Sequence, residues 1–207
     1  LQAVAAFAKR HELILVSDEI HHDLTMPGYT HIPTAHIDGI SDRLVTMTAT
    51  TKTFNIAGGH AGNVIIKDPD LRARFGGRMA AMGISANSFG LFMATAAYSP
   101  DGAAWVDDLR AYLDGNRQVF DAGVNAIPGV KSMALESTYL AWVDFSGTGM
   151  SMEEVIERVQ KNAKIAASHG PTFGLGGDNF LRFNIGTTRA QIEDAVARLQ
   201  VAFSDLQ

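Results

Sequence analysis

Lys52 stands in the run Thr48-Ala-Thr-Thr-Lys-Thr-Phe-Asn-Ile-Ala-Gly-Gly-His-Ala-Gly-Asn63, directly after the apolar stretch Leu44 to Met47. Between Arg43 and Lys67 it is the only Lys, Arg, Asp or Glu. An amine among apolar and small hydroxyl residues is pushed toward its neutral form, and a neutral amine can attack a carbonyl. That context alone leaves a structural lysine and a catalytic one both open. Upstream, Val16-Ser-Asp-Glu-Ile-His-His-Asp23 gathers three acids and two imidazoles just past the apolar run Leu13 to Val16. Near the other end, Arg182 lies in Phe180-Leu-Arg-Phe-Asn-Ile-Gly186, where strand alternation sets Phe180, Arg182 and Asn184 on one face and Leu181, Phe183 and Ile185 on the other. An arginine so placed is either paired with an acid or used to bind one.

The three segments carry a resemblance. Lys52-Thr-Phe-Asn-Ile-Ala-Gly58 after Thr48-Ala-Thr-Thr51 resembles the cofactor-lysine segment of fold-type-I pyridoxal-phosphate enzymes. Within them it is most similar to the cystathionine β-lyase-type C–S lyase branch of the class I/II aminotransferase superfamily. Ser17-Asp-Glu-Ile-His21 resembles an element of the same branch, and the Arg182 segment resembles the one whose arginine holds the substrate carboxylate. The resemblance implies pyridoxal 5'-phosphate as cofactor. It makes Lys52 the residue that bonds to it and then takes the substrate Cα proton, and Asp18 the partner of the ring nitrogen. It also implies hydrogen bonding from His21 to the phenolic oxygen, Thr48 and Thr51 as hydroxyl donors to the phosphate, and Arg182 as the clamp on the α-carboxylate. His60 departs from the pattern, because many class I aminotransferases carry a phosphate-binding arginine there; an imidazole can donate one hydrogen bond in its place.

Composition bounds the rest. The 207 residues are 46% hydrophobic with a net charge of −5, which suits a soluble globular protein of one or two domains. The absence of basic runs argues against nucleic acid as a partner. No apolar run approaches the roughly 20 residues of a membrane span, and no signal peptide opens the chain. With no cysteine there are no disulfides and no thiolate metal sites, which is compatible with a cytoplasmic protein. Because the chain opens on Leu1 inside a helical stripe, it is expected to be the C-terminal half of a longer enzyme. The glycine turn that cradles the cofactor phosphate would then lie upstream, and Gly174-Leu-Gly-Gly177 is read as a plain loop. Alone, the piece is expected to be inactive and to bind cofactor weakly; the full-length enzyme is expected to be a homodimer acting on a small amino acid.

The expected fold is α/β: a partial fold-type-I, PLP-dependent transferase-like large domain over residues 1–107 with a mixed, mostly parallel sheet, then an α+β small domain over residues 108–207. Leu13 to Val16 reads as a strand buried on both faces, followed by a loop over Thr25 to Ser41 and by strands at Leu44 to Met47 and Asn63 to Ile66. Asp68-Pro69 opens a helix whose Leu71, Phe75, Met79 and Met82 share a face, and the Met-rich stretch to Met93 reads as core. A long helix after Pro100 carries the chain into the second domain. There Tyr139 to Phe145 is a strand, and capping boxes at Ser151 and Thr188 open two further helices.

Three alternatives stand beside the lyase reading. A class I/II aminotransferase would use the same three side chains. A metal hydrolase would use Asp18, Glu19, His21, His22 and Asp23, but adjacent histidines do not easily face one ion and His11-Glu12 lacks the second histidine of a zinc motif; no metal site is expected. A non-catalytic fragment is the third.

Overall fold

The computed structural model describes residues 1–206. The chain divides into two compact units, Leu1–Asp108 and the residues from Leu109 onward.

In the first unit, α1 (Gln2–Arg10) leads through the exposed turn at His11 and Glu12 into β1 (Leu15–Asp18). Strand β2 (Leu44–Thr48) runs parallel to β1, with Leu15 opposite Leu44 and Asp18 opposite Met47. Strand β3 (Asn63–Ile65) returns antiparallel to β2, with Thr48 opposite Asn63. The mixed sheet has the order β1-β2-β3, so β1 and β3 are its edges. Ala5 and Ala8 of α1 pack with Leu44 and Ile40, covering one face near Leu15. Two helices follow β3. Helix α2 (Pro69–Ala81) starts as expected, the Asp68 carboxylate accepting from the Leu71 N–H at 2.8 Å with proline in the first turn. Helix α3 (Ser88–Ala97) is capped by Asn87.

Three expectations about burial are corrected here. Val16 is 56% exposed, and Leu13 and Ile14 are exposed too, because α1 covers the Leu15 face of β1 and nothing in this unit covers the other. Helix α2 has no buried residue, so its apolar stripe has no core to face within this unit. The Met-rich stretch is not core either: Met82, Phe89, Phe92 and Met93 are all exposed, Phe89 by 77%. Periodicity marks a face that prefers burial; it does not supply the surface that buries it.

Helix α4 (Pro100–Asn125) crosses the division between the units. In the second unit its Leu113, Asn116, Phe120 and Val124 are buried. They pack beside a four-stranded antiparallel sheet of β4 (Lys131–Ser132), β5 (Leu140–Asp144), β6 (Ser168–His169) and β7 (Phe180–Asn184), in the order β4-β5-β7-β6. Alternation works as read: Ala141, Val143, Leu181 and Phe183 are buried with Phe120 and Val124, while Trp142 and Arg182, partners in register, share the other face. Helix α5 (Met152–Glu157), continued by a π-helical turn over Arg158–Asn162, and α6 (Arg189–Ala202) add Val155, Val159, Ile192, Val196 and Leu199 to the same core. The Ser151 hydroxyl accepts from the Glu154 N–H at 3.3 Å, one half of the expected capping box, while the Glu154 carboxylate pairs with Arg158 instead of returning to the Ser151 N–H. The box expected at Thr188 does not form: its side chain makes no cap bond, and the Tyr112 hydroxyl takes the Arg189 N–H at 2.7 Å.

Candidate active site

The carboxyl ends of β1 and β2 lie side by side, and ligands on parallel strands collect at such ends. An open cavity of about 470 Å³ occupies that position, lined by Asp18, Ile20, Met47, Thr48, Ala49, Thr51, Lys52, Ala57, His60, Ala61, Gly62, Asn63 and Val64. Five of the residues singled out from sequence therefore share one cavity: Asp18, Thr48, Thr51, Lys52 and His60. The volume falls within the about 300–1,000 Å³ usual for small-molecule sites.

Each is held by local structure. Asp18 ends β1 and accepts from the Ile20 N–H at 3.1 Å, which turns the chain away from the sheet and leaves the carboxylate exposed to the cavity. Lys52 sits in a turn after β2, closed by Phe54 N–H to Thr50 C=O at 3.0 Å and by Ile56 N–H to Thr51 C=O at 3.0 Å. Thr50, Thr51 and Thr53 are buried around it, and Phe54 stacks on Trp105 with ring centroids 5.2 Å apart. The Lys52 ammonium has no ion-pair or hydrogen-bond partner among the described residues, so the half-buried amine is available to a ligand.

His60 takes a left-handed backbone, φ 43° and ψ 47°, which an ordinary side chain adopts only at some cost. Its turn is braced from α3: Asn87 accepts from the Gly90 N–H at 2.8 Å and donates to the Gly59 carbonyl at 2.7 Å. A Cβ on Gly90 would lie 2.5 Å from that carbonyl oxygen, so glycine there permits the close approach. Thr48 meets Asn63, whose amide donates to its hydroxyl at 3.3 Å, and Tyr98 lies close to both. Burial pushes the Tyr98 phenol up, as does the negative charge of Asp23. The sequence reading missed Asn63 as a site residue; the available signal was its place opposite Thr48 at the start of β3.

His21 does not line the cavity; it lies half-buried in the turn beyond β1, its carbonyl accepting from the Leu24 N–H at 3.0 Å. Arg182 belongs to the second unit. Its guanidinium lies over the Phe173 ring at 4.3 Å, and Trp142 stacks on Phe180 beside it. No acid pairs with Arg182 among the described residues.

The acids and imidazoles after β1 are absorbed by each other. Glu19 is buried; its carboxylate accepts from Ser17 Oγ at 2.9 Å and the Thr34 N–H at 3.0 Å and meets His31 Nε2 at 2.8 Å. Burial works to raise its pKa, but the bonds from His31, Thr34 and Ser17 outweigh it and hold the carboxyl below the usual range. No group of three or more His, Asp or Glu side chains among the described residues is arranged to hold a metal ion.

The model of the aminotransferase class I and II family matches residues 1–199. The chain belongs to that family. Among family relatives, it is 38% identical over 197 residues to cystathionine beta-lyase PatB of Bacillus subtilis, covering 94% of this chain and 51% of PatB. It is 30% identical to protein MalY of Escherichia coli, covering 96% of this chain and 51% of MalY. The crystal structure of cystalysin from Treponema denticola, which contains a pyridoxal 5'-phosphate cofactor, superposes with a TM-score of 0.91 at 35% identity, over all of this chain and 53% of cystalysin. The fold is thus that of the fold-type-I, PLP-dependent transferases, in part. The chain spans about half the length of the curated relatives it matches.

The cavity's donor set fits pyridoxal phosphate. It offers one unpaired amine, a carboxylate for a ring nitrogen, hydroxyl, amide and imidazole groups for phosphate oxygens, and apolar walls from Ile20, Met47, Ala49 and Val64 for a flat ring.

Proposed function

We propose that the protein acts as a PLP-dependent C–S lyase on a sulfur-containing amino acid. The single observation that carries this reading is the placement of Lys52, without an ion-pair partner, in one cavity with Asp18 at the carboxyl ends of β1 and β2. The 38% identity to cystathionine beta-lyase PatB supports elimination over other family chemistry.

Bound pyridoxal phosphate supplies an aldehyde and a ring that accepts electrons from the substrate Cα. Lys52 Nζ holds the cofactor and then removes the proton from Cα as general base. The Asp18 carboxylate keeps the ring nitrogen protonated by opposing its loss of charge. Thr48, Thr51 and His60 donate toward the phosphate, with Asn63 as a fourth donor. His21, outside the cavity's own lining, reaches the phenolic oxygen from the turn beyond Asp18, and Arg182 takes the substrate α-carboxylate bidentately. Residues 1–107 serve as part of the cofactor-binding domain and residues 108–207 as the small domain. The complete enzyme is a cytoplasmic homodimer with no nucleic-acid or membrane partner; no helix among the described residues is long and apolar enough to cross a membrane.

The deciding assay gives full-length enzyme cystathionine and follows pyruvate with no keto acid added. Catalytic pyruvate is expected, because a thiolate leaving Cβ yields an enamine that hydrolyses to pyruvate and ammonia. Turnover that needs a keto-acid acceptor and yields a new amino acid would assign aminotransferase activity instead.

A further inference from the structure

Beside the cavity runs a series of polar contacts that connects its two chemical poles without entering it. Thr53, next to Lys52, donates from Oγ1 to Asp23 Oδ2 at 3.3 Å. Asp23 Oδ1 lies 3.1 Å from His22 Nε2, and His22 Nδ1 lies 2.7 Å from the carbonyl oxygen of Glu19, the residue after Asp18. Thr53 is fully buried, and His22 and Asp23 are each about three-quarters buried.

We propose that His22 and Asp23 are a positioning pair that fixes the Lys52 turn relative to the Asp18 end of β1. A carbonyl oxygen can only accept, and so can an ionised carboxylate. His22 serves both partners as an imidazolium, with Nδ1 donating to the Glu19 carbonyl and Nε2 in ion-pair contact with Asp23, and so stands clamped between the two turns. Glu19 gives the clamp a fixed end: its N–H donates to the Met47 carbonyl at 2.8 Å, and its buried carboxylate is held by Ser17, Thr34 and His31. The charge state agrees, since the hydrogen bond to Asp23 raises His22 against the opposing effect of burial, and the hydrogen bond to His22 in turn lowers Asp23. The titratable groups facing the pair are Glu19, His31, whose ring centroid lies 5.9 Å from that of His22, and Tyr98, which feels the charge of Asp23.

This inference rests on the reading of Lys52 and Asp18 as the cofactor's partners, and the test separates the two. Holoenzyme carrying His22→Gln, Asp23→Asn, Thr53→Val or Thr53→Ser is compared with wild type for pyridoxal-phosphate affinity and for the pH midpoint of the bound cofactor's visible absorbance change. Losing one hydrogen bond should weaken cofactor affinity about three- to tenfold and displace the midpoint in the first three variants. Thr53→Ser, which keeps the hydroxyl, should restore both toward wild type. If His22→Gln or Asp23→Asn does not fold, the Thr53 pair decides: Val and Ser behaving alike would overturn the proposal, as would wild-type midpoints in folded His22→Gln and Asp23→Asn protein. Failure of the underlying reading looks different: Lys52→Ala would then still give a borohydride-stable cofactor adduct.

Discussion

Phe173 lies face-on to Arg182, its ring centroid 4.3 Å from the guanidinium carbon, while Trp142 meets Phe173 edge-on at 5.5 Å. A guanidinium held against an aromatic face loses less freedom when it clamps a carboxylate. Phe173→Ala should raise KM for the amino-acid substrate roughly fivefold, the equivalent of about 1 kcal/mol, with kcat less affected. Phe173→Tyr should retain wild-type KM. Steady-state kinetics on the three proteins checks this.

Asn116 is fully buried in α4 and donates to the carbonyls of Ile185 and Thr187 at 2.9 and 2.8 Å, while its own carbonyl accepts from Arg189 Nε at 2.6 Å. It fastens the chain leaving β7, the strand of Arg182. Asn116→Ala strands those partners and should cost roughly 2–4 kcal/mol in denaturant unfolding. Asn116→Asp should also destabilise, since a carboxylate cannot donate to the two carbonyls.

Stability should depend on pH through His22. The fold raises its pKa above the ordinary value of about 6.5, so its contribution is fully present below that pH and is lost as pH rises through the folded value. Asp23 is lowered, so its contribution is present above the ordinary carboxylate range of about 4 and is lost as pH falls through the lower folded value. These are two ends of one interaction. The melting-temperature difference between wild type and His22→Gln should therefore shrink as pH is raised from about 6 to about 9. A difference that grows over that range would contradict the assignment of charge.

Gly90→Ala tests how α3 supports the cavity. The new methyl would meet the Gly59 carbonyl oxygen at 2.5 Å and Ala61 Cβ at 2.7 Å, forcing the His60 turn away. Destabilisation of about 1–3 kcal/mol is expected, together with weaker pyridoxal-phosphate binding in a direct titration.

The sequence showed the site best where the chemistry is local. Lys52, Thr48 and Thr51 fall within one strand end and one turn, and Asp18 follows the apolar run that pairs with that strand, so the shared cavity follows from two parallel strands ending together. Long-range relations were not legible. Asn87 reaches the Gly59 carbonyl only because α3 returns to the turn before β3, and His22 finds Asp23 and the Glu19 carbonyl only because the turn after β1 folds back on itself. At Thr188 the capping pattern was present, but the Gln191 N–H goes to the Thr188 carbonyl at 3.1 Å and the Gln191 side chain to the Thr187 hydroxyl, so neither half of the box is made. Burial was misjudged at Val16, Phe75 and Met82 for a different reason: an apolar stripe states a preference, and the surface that would satisfy it is absent from this unit.

The central claim is that Lys52 is the residue that bonds to the cofactor. Full-length protein loaded with pyridoxal phosphate should be reduced with borohydride, digested, and mapped by mass spectrometry. The account predicts a pyridoxyl label on the peptide containing Lys52 and none in Lys52→Ala protein. A label on another lysine, or one that persists in Lys52→Ala, would contradict it.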